Sequence, residues 1–169
     1  TLGGTGSISG ATTIHGSLNP GNGGSAKETL AIGGTLDLST AQKSTIDIAG
    51  ASTRGVDFDG IDVAGQCLLG GTLELNFSSL VAGGNHLCQL INMNGGHSGG
   101  FTGVTLTGVY SGSLTNNGSG IWSHAAGGQS WQFNQNTGAL NFTTMDVPIP
   151  YATVHELLPG DSDARMVEK

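Results

Sequence analysis

Apolar and polar residues alternate in short bursts along most of the chain: Leu36-Asp37-Leu38, Ile46-Asp47-Ile48, Ile61-Asp62-Val63, Leu73-Glu74-Leu75-Asn76-Phe77, Val104-Thr105-Leu106, Trp131-Gln132-Phe133 and Leu140-Asn141-Phe142. A period of two sends one set of side chains into a core and the other toward water, so each burst predicts a short strand. In four bursts the outward residue is an acid (Asp37, Asp47, Asp62, Glu74), which reads as a solvated strand face. Between bursts stand Pro20-Gly21, Gly33-Gly34, Gly70-Gly71, Gly83-Gly84, Asn94-Gly95-Gly96, Asn117-Gly118 and Gly127-Gly128. Gly and Asn accept the backbone conformations of tight turns, so the predicted strands are joined by many corners. The hexads Gly33-Gly34-Thr35-Leu36-Asp37-Leu38 and Gly70-Gly71-Thr72-Leu73-Glu74-Leu75 nearly repeat, 37 positions apart (33 to 70). A fixed-period echo of turn plus strand suggests stacked repeats, and at ~20 residues per coil this spacing corresponds to two coils with variable loops. A β-sandwich produces the same alternation and turn spacing, so the periodicity leaves solenoid and sandwich both open.

Composition narrows the class. Of 169 residues, 31 are Gly and only 17 are charged, 5 Lys+Arg against 12 Asp+Glu. Gly has no period of three and Pro is only 4, which excludes collagen. A net charge of -7 with five basic residues argues against a nucleic-acid partner. No apolar run reaches the ~20 residues of a membrane-spanning helix, so membrane insertion is not expected. Charge is also unevenly placed: Leu75 to Met145 contains no Asp, Glu, Lys or Arg, whereas residues 146–169 hold seven charged residues and a single Gly, Gly160. The expected organisation is a β-rich body, 1–145, and an extended C-terminal tail, 146–169. The chain opens at Thr1 without a signal-like apolar stretch, which reads as a processed product or an excerpt of a longer precursor.

Several segments, taken in order, resemble the terminal passenger region of bacterial autotransporter-type surface proteins built from autotransporter-associated β-strand repeats. They are Gly6-Ser7-Ile8-Ser9-Gly10 leading to His15-Gly16-Ser17-Leu18-Asn19-Pro20-Gly21-Asn22, then Thr29 to Leu38, and Ser44-Thr45-Ile46-Asp47-Ile48-Ala49-Gly50. Asp57-Phe58-Asp59-Gly60-Ile61-Asp62-Val63-Ala64-Gly65, Leu69 to Leu75 and Phe101 to Val104 complete the series. The resemblance covers roughly residues 1–145 and rests on the order of the motifs, since each alone is turn chemistry plus alternation. It implies a right-handed parallel β-helix, exported and displayed at the surface of a bacterium or outside the cell. Related exported proteins end in a Pro-Glu-Pro (PEP-CTERM) sorting signal with an apolar helix and a basic tail. The tail here, Asp146-Val147-Pro148-Ile149-Pro150 onward, has neither that signal nor a membrane barrel.

Candidate chemistry is sparse. Cys67 and Cys88 are the only cysteines, 21 positions apart (67 to 88). If a coil takes ~20 residues they fall on neighbouring rungs, and a disulfide in an oxidising compartment would stabilise by roughly 3 kcal/mol. The alternative is two buried thiols acting as small apolar residues. Asp57, Asp59 and Asp62 place three carboxylates within six residues, a pattern from which calcium coordination is conceivable and a solvated turn is the preferred reading. No other cofactor is suggested. His15, His86, His97, His124 and His155 have no metal-ligand spacing and read as surface or turn residues, His97 on a turn between Gly pairs. Glu74 with Asp62 would formally supply two acids for glycoside cleavage, but both fit the outward strand pattern. Tyr110, Trp122, Trp131 and Phe133 suit a core or cap better than a sugar-stacking groove. Open solenoid ends recruit strands unless they are capped. Residues 147–158 suit a cap on their own chain or a strand added to a neighbour, with Val147, Ile149, Tyr151, Val154 and Leu157 as assembly residues. The expected function is that of a non-enzymatic exported structural protein, self-associating head to tail into fibre or surface-layer material or serving as an adhesin stalk. The alternative is a protein that binds or cuts polysaccharide, with surface glycans as partners.

Overall fold

The computed structural model describes residues 1–21 and 27–146, and every element among them is a strand. A ten-stranded sheet runs β1 (Leu2–Gly4), β4 (Ser17–Pro20), β7 (Lys43–Ile48), β10 (Thr72–Phe77), β14 (Gly103–Gly108), β15 (Gly112–Asn116), β16 (Ile121–Ala126), β17 (Gln129–Asn134), β18 (Ala139–Thr144) and β11 (Gly84–Gln89). A second sheet runs β2 (Gly6–Ile8), β5 (Thr29–Ile32), β8 (Gly60–Val63) and β12 (Ile91–Met93). A third runs β3 (Thr12–Thr13), β6 (Leu36–Asp37), β9 (Cys67–Leu69) and β13 (His97–Gly99). The protein is all-β.

As far as β14, with β11 as the exception, the chain visits the three sheets in rotation, and each strand pairs in parallel with the strand of the next circuit. The register stacks like positions. Ile8, Ile32, Val63 and Met93 form one column, Leu36, Cys67 and His97 a second, and Ile46, Leu75 and Leu106 a third. Ile32, Val63, Leu36, Cys67, Ile46 and Leu75 are essentially without exposure. Burying each such aliphatic side chain is worth about 1.5–3 kcal/mol, which explains why bursts of only two or three apolar residues suffice to hold very short strands.

The circuit is about 30 residues in the later turns, as the pairs Cys67 with His97 and Leu73 with Val104 show, and shorter at the start, where Thr12 pairs with Leu36. The expected ~20-residue coil is therefore too short. The hexad echo is not the structural period either. Leu36 lies in β6, in the third sheet, and Leu73 lies in β10, in the first, where it pairs with Ser44 and Val104. The echo arises because two different corners use the same Gly-Gly-Thr-Leu chemistry.

Glycine at one corner is dictated by contact between circuits. A Cβ on Gly65 would stand 2.7–2.8 Å from the backbone of Gly34 and Thr35, and one on Gly95 would stand 2.5 Å from that of Gly65. Gly34, Gly65 and Gly95 thus form a column with no room for a side chain, laced by hydrogen bonds from Gly65 N to Gly34 O and from Gly95 N to Gly65 O.

After β14 the path changes to an antiparallel meander, β14-β15-β16-β17-β18, to which β11 is added. Gly127 and Gly128, both with positive φ, make the two-residue turn between β16 and β17. The meander closes the last circuit with aromatic side chains. Phe77 packs edge-on against Tyr110 and Phe142, while Tyr110 meets Trp131, and Phe101 meets Phe133, at tilted angles. The turn after β17 covers β12, with Leu90 N and Ile91 N both donating to Gly138 O. The charge-free stretch from 75 to 145 is largely this closing layer.

Candidate functional site

Among the described residues, most charged side chains lie between Lys43 and Asn92, and several of them tie one circuit to the next. On the ten-stranded sheet, Lys43 pairs with Glu74 at 3.1 Å. Asn76 Nδ2 donates to Asp47 Oδ1 at 2.6 Å, and Thr107 Oγ1 donates to Asn76 Oδ1 at 3.3 Å. On the second sheet Asn92 Nδ2 donates to Asp62 Oδ1 at 2.6 Å. Partners 29 to 31 residues apart are one circuit apart, so these are polar ladders running along the stack. The solvated acidic face expected from the alternation is corrected in part: Asp37 stays at the surface, bonded to Ser39, and the other three acids do not. Asp47 is buried, at 2% exposure, and Glu74 and Asp62 are half-buried and engaged.

The three clustered acids do not converge. Asp57 Oδ2 accepts from Ser52 N and Thr53 N and so closes its own turn. Asp59, fully buried, accepts from Glu28 N through Oδ1 and from Asp47 N through Oδ2, each at 2.9 Å. Asp62 faces Arg54, with Nη2 3.0 Å from Oδ1 and Nη1 3.1 Å from Oδ2. Among the described residues no three His, Cys, Asp or Glu side chains are placed to hold a metal ion. The spacing that suggested calcium instead provides three separate anchors, because successive residues of a turn and a strand point in different directions.

Burial raises the Asp59 carboxyl to about 6, against the pull of its two backbone donors, with Asp47 raising it further and Lys27 opposing. Arg54 donates through Nε to Gln89 O at 2.8 Å as well as meeting Asp62, and so straps the bend before β8 to the segment that leads into β12. Sequence reading missed Arg54. Its isolation as the sole Arg before residue 165 was the available signal.

Cys67 and Cys88 are free, buried thiols, and the expected disulfide is not formed. With a circuit near 30 residues, the position stacked on Cys67 is His97, while Cys88 lies in β11 opposite Leu140. Burial pushes both thiols up to about 12, so they behave as small apolar residues. His97 opens β13 and is not on a turn. His15 bonds Thr40 Oγ1, His86 stands against Ala82 O and Phe142, and His124 stacks near Trp131. Tyr110, Trp122, Trp131 and Phe133 are all buried, so none offers a surface for a sugar ring. Trp122 Nε1 donates to Gln135 Oε1 inside the closing layer. Glu74 and Asp62, the formal acid pair, lie in different sheets, each held by a cation. The assembly residues Val147, Ile149, Tyr151, Val154 and Leu157, and His155, lie outside the described residues.

The sheets also leave strand edges at the surface. β1, β2 and β3 each end their sheet. Gly33 N donates to Ile8 O, so Ile8 faces β5 and its neighbour Ser7 turns its N–H to the open side. Thr12 N donates to Thr35 O and Ile14 N to Asp37 O, which leaves Thr13 facing outward in the same way. No protein-family model, curated protein or solved structure matches the chain.

Proposed function

We propose that the chain is a β-solenoid module, of right-handed parallel β-helix type, from an exported bacterial surface protein related to the autotransporter-associated repeats, and that its role is structural. The observation that carries this reading is the pair of unlike ends on one stack of parallel circuits. One end carries the antiparallel layer and its aromatic cluster; the other presents three strand edges with outward N–H groups at Ser7 and Thr13. Unpaired edges recruit strands, and native proteins usually protect them with charge or Pro. This edge has no such protection: Thr1 to Ala26 contains no Asp, Glu, Lys or Arg, and Pro20 is its only Pro. Two copies meeting edge to edge here extend the stack into a longer rod without repulsion. Because both copies use the same edge, the contact is satisfied by a pair, in place of the fibre expected from head-to-tail addition. Ion pairs and polar ladders that occupy the outward acids, together with the buried aromatics, support a scaffold over a glycan-cleaving protein.

Sedimentation velocity across a concentration series tests this. The intact chain is expected to shift from monomer to dimer, and Ser7→Pro with Thr13→Pro, which removes the outward donors but leaves the inward hydrogen bonds, is expected to stay monomeric. A dimer unaffected by the double substitution, or a monomer at every concentration, rejects the edge as the contact.

A further inference from the structure

Lys27, Asp47 and Asp59 are all buried, at 7%, 2% and 0% exposure. Lysine is almost never buried unless it is paired, and here one amine is enclosed with two carboxyls. Their three segments are laced together within a residue of each side chain. Asp59 N donates to Asp47 O at 2.9 Å, and Asp47 N returns a bond to Asp59 Oδ2 at 2.9 Å. Glu28, next to Lys27, donates through N to Asp59 Oδ1 at 2.9 Å and accepts through O from Gly60 N at 2.8 Å. The charges of Lys27 and Asp47 both act on the Asp59 carboxyl, which puts the three groups in one buried polar cluster. Asp47 Oδ1 also takes a bond from Asn76 Nδ2 at 2.6 Å, so that oxygen already faces a fixed donor. Lys43 and Glu74 meet as well, but at 44% and 22% side-chain exposure, where solvent keeps the pair ionised.

We propose that Lys27 and Asp47 condense on folding into an intramolecular isopeptide cross-link, with Asp59 carrying the proton. The Lys27 ammonium first passes one proton to the Asp47 carboxylate, which burial favours because two enclosed charges become two neutral groups. The amine lone pair then attacks Asp47 Cγ and forms the C–N bond, and the C=O electron pair moves to Oδ1, where Asn76 Nδ2 stabilises it in the manner of an oxyanion hole. Asp59 takes a proton from the nitrogen and hands it to Oδ2. As the C=O re-forms, the Cγ–Oδ2 bond breaks and Oδ2 leaves as water. One amine and one carboxyl give one amide and one water, nothing is oxidised or reduced, and Asp59 ends unchanged. A carboxyl that titrates at about 6 is suited to take and return a proton near neutral pH. Amines and acids do not condense freely in water, but aligned groups reach effective molarities of ~10⁵–10⁸ M, and burial excludes the water that reverses the step. The link joins the entry to β5 to β7 and closes residues 27 to 47 into a covalent loop. The inference holds whether or not the Ser7 and Thr13 edge forms a dimer.

The test is the mass of the intact full chain, denatured and reduced after folding, followed by peptide mapping. The mass is expected to fall short of the sequence by one water. Trypsin is expected to leave the bond after Lys27 uncut, because its amine is acylated, and to yield residues 1–43 joined to residues 44–54 after cleavage at Lys43 and Arg54. Lys27→Arg and Asp59→Asn are each expected to show their full sequence mass and unjoined peptides, with emission from Trp122 and Trp131, buried in the closing layer, reporting that the variant is folded. Full mass in the folded unmodified chain overturns the proposal. So does a lost water with Lys27 still cut, the result that a succinimide at Asp59-Gly60 gives. Cross-linking undiminished in Asp59→Asn overturns the assignment of the proton carrier. The unmodified chain decides the cross-link itself, so that result does not depend on a variant that folds.

Discussion

At the scale of single residues, two kinds of side chain dominate: an acid that must be buried and glycines that cannot be anything else. Asp59 has no exposure and a carboxyl raised from 3.8 to about 6 by burial. The native state therefore binds its proton more tightly than the unfolded chain. The contribution is fully present below pH 4, is lost as pH rises through 6, and is flat above that. Two pH units correspond to roughly 3 kcal/mol, an upper figure for one group. Urea unfolding across pH 4 to 7 is expected to show this fall, and Asp59→Asn to flatten it; an unchanged profile in the variant would assign the slope elsewhere. For the glycines, Gly65→Ala is expected to cost about 2 kcal/mol or more, because the Cβ meets the Gly34 backbone. Gly10→Ala meets nothing within 4 Å and has ordinary φ, so it is expected to be neutral or to stabilise by about 0.5 kcal/mol. Melting curves of the two variants separate corner packing from general glycine entropy.

At the scale of elements, the alternation was readable and the circuit was not. Ile61-Asp62-Val63 and Leu73 to Phe77 fall on strands with the expected residues inward, because period-two burial is decided locally. Which strand lies above which is decided by loop length, and the loops of this chain vary. The first described circuits are shorter by several residues than the later ones, which is why a fixed period read from two hexads and two cysteines failed. The acid cluster misled for a related reason. Its spacing is visible in sequence, but the partners of its members, Glu28 N, Asp47 N and Arg54, come from other circuits or from across the bend. Arg54 is the element-level clasp. Arg54→Met is expected to destabilise by about 1 kcal/mol, since it leaves Asp62 with only its Asn92 bond and takes the Nε donor from the Gln89 carbonyl. Arg54→Lys is expected to recover only part of this, the Nε bond to Gln89 O being lost, as chemical unfolding of both variants would show.

At the scale of the whole molecule, the distribution of charge acquires a structural meaning. One uncharged stretch, 75 to 145, forms the last circuit and the antiparallel layer with its aromatic interior. The other, 1 to 26, contributes the open edge. Several of the charges between them, Lys43, Asp47, Asp62 and Glu74, tie neighbouring circuits together, which keeps the flanks polar. The proposed role depends on the open edge more than on any side-chain chemistry. Amide exchange at Ser7 and Thr13, followed residue by residue as protein concentration is raised, tests it most directly. Protection that grows with concentration at these two amides, while Gly118 and Gly127 stay unchanged, is the predicted result. Rapid exchange at Ser7 and Thr13 at every concentration would contradict it.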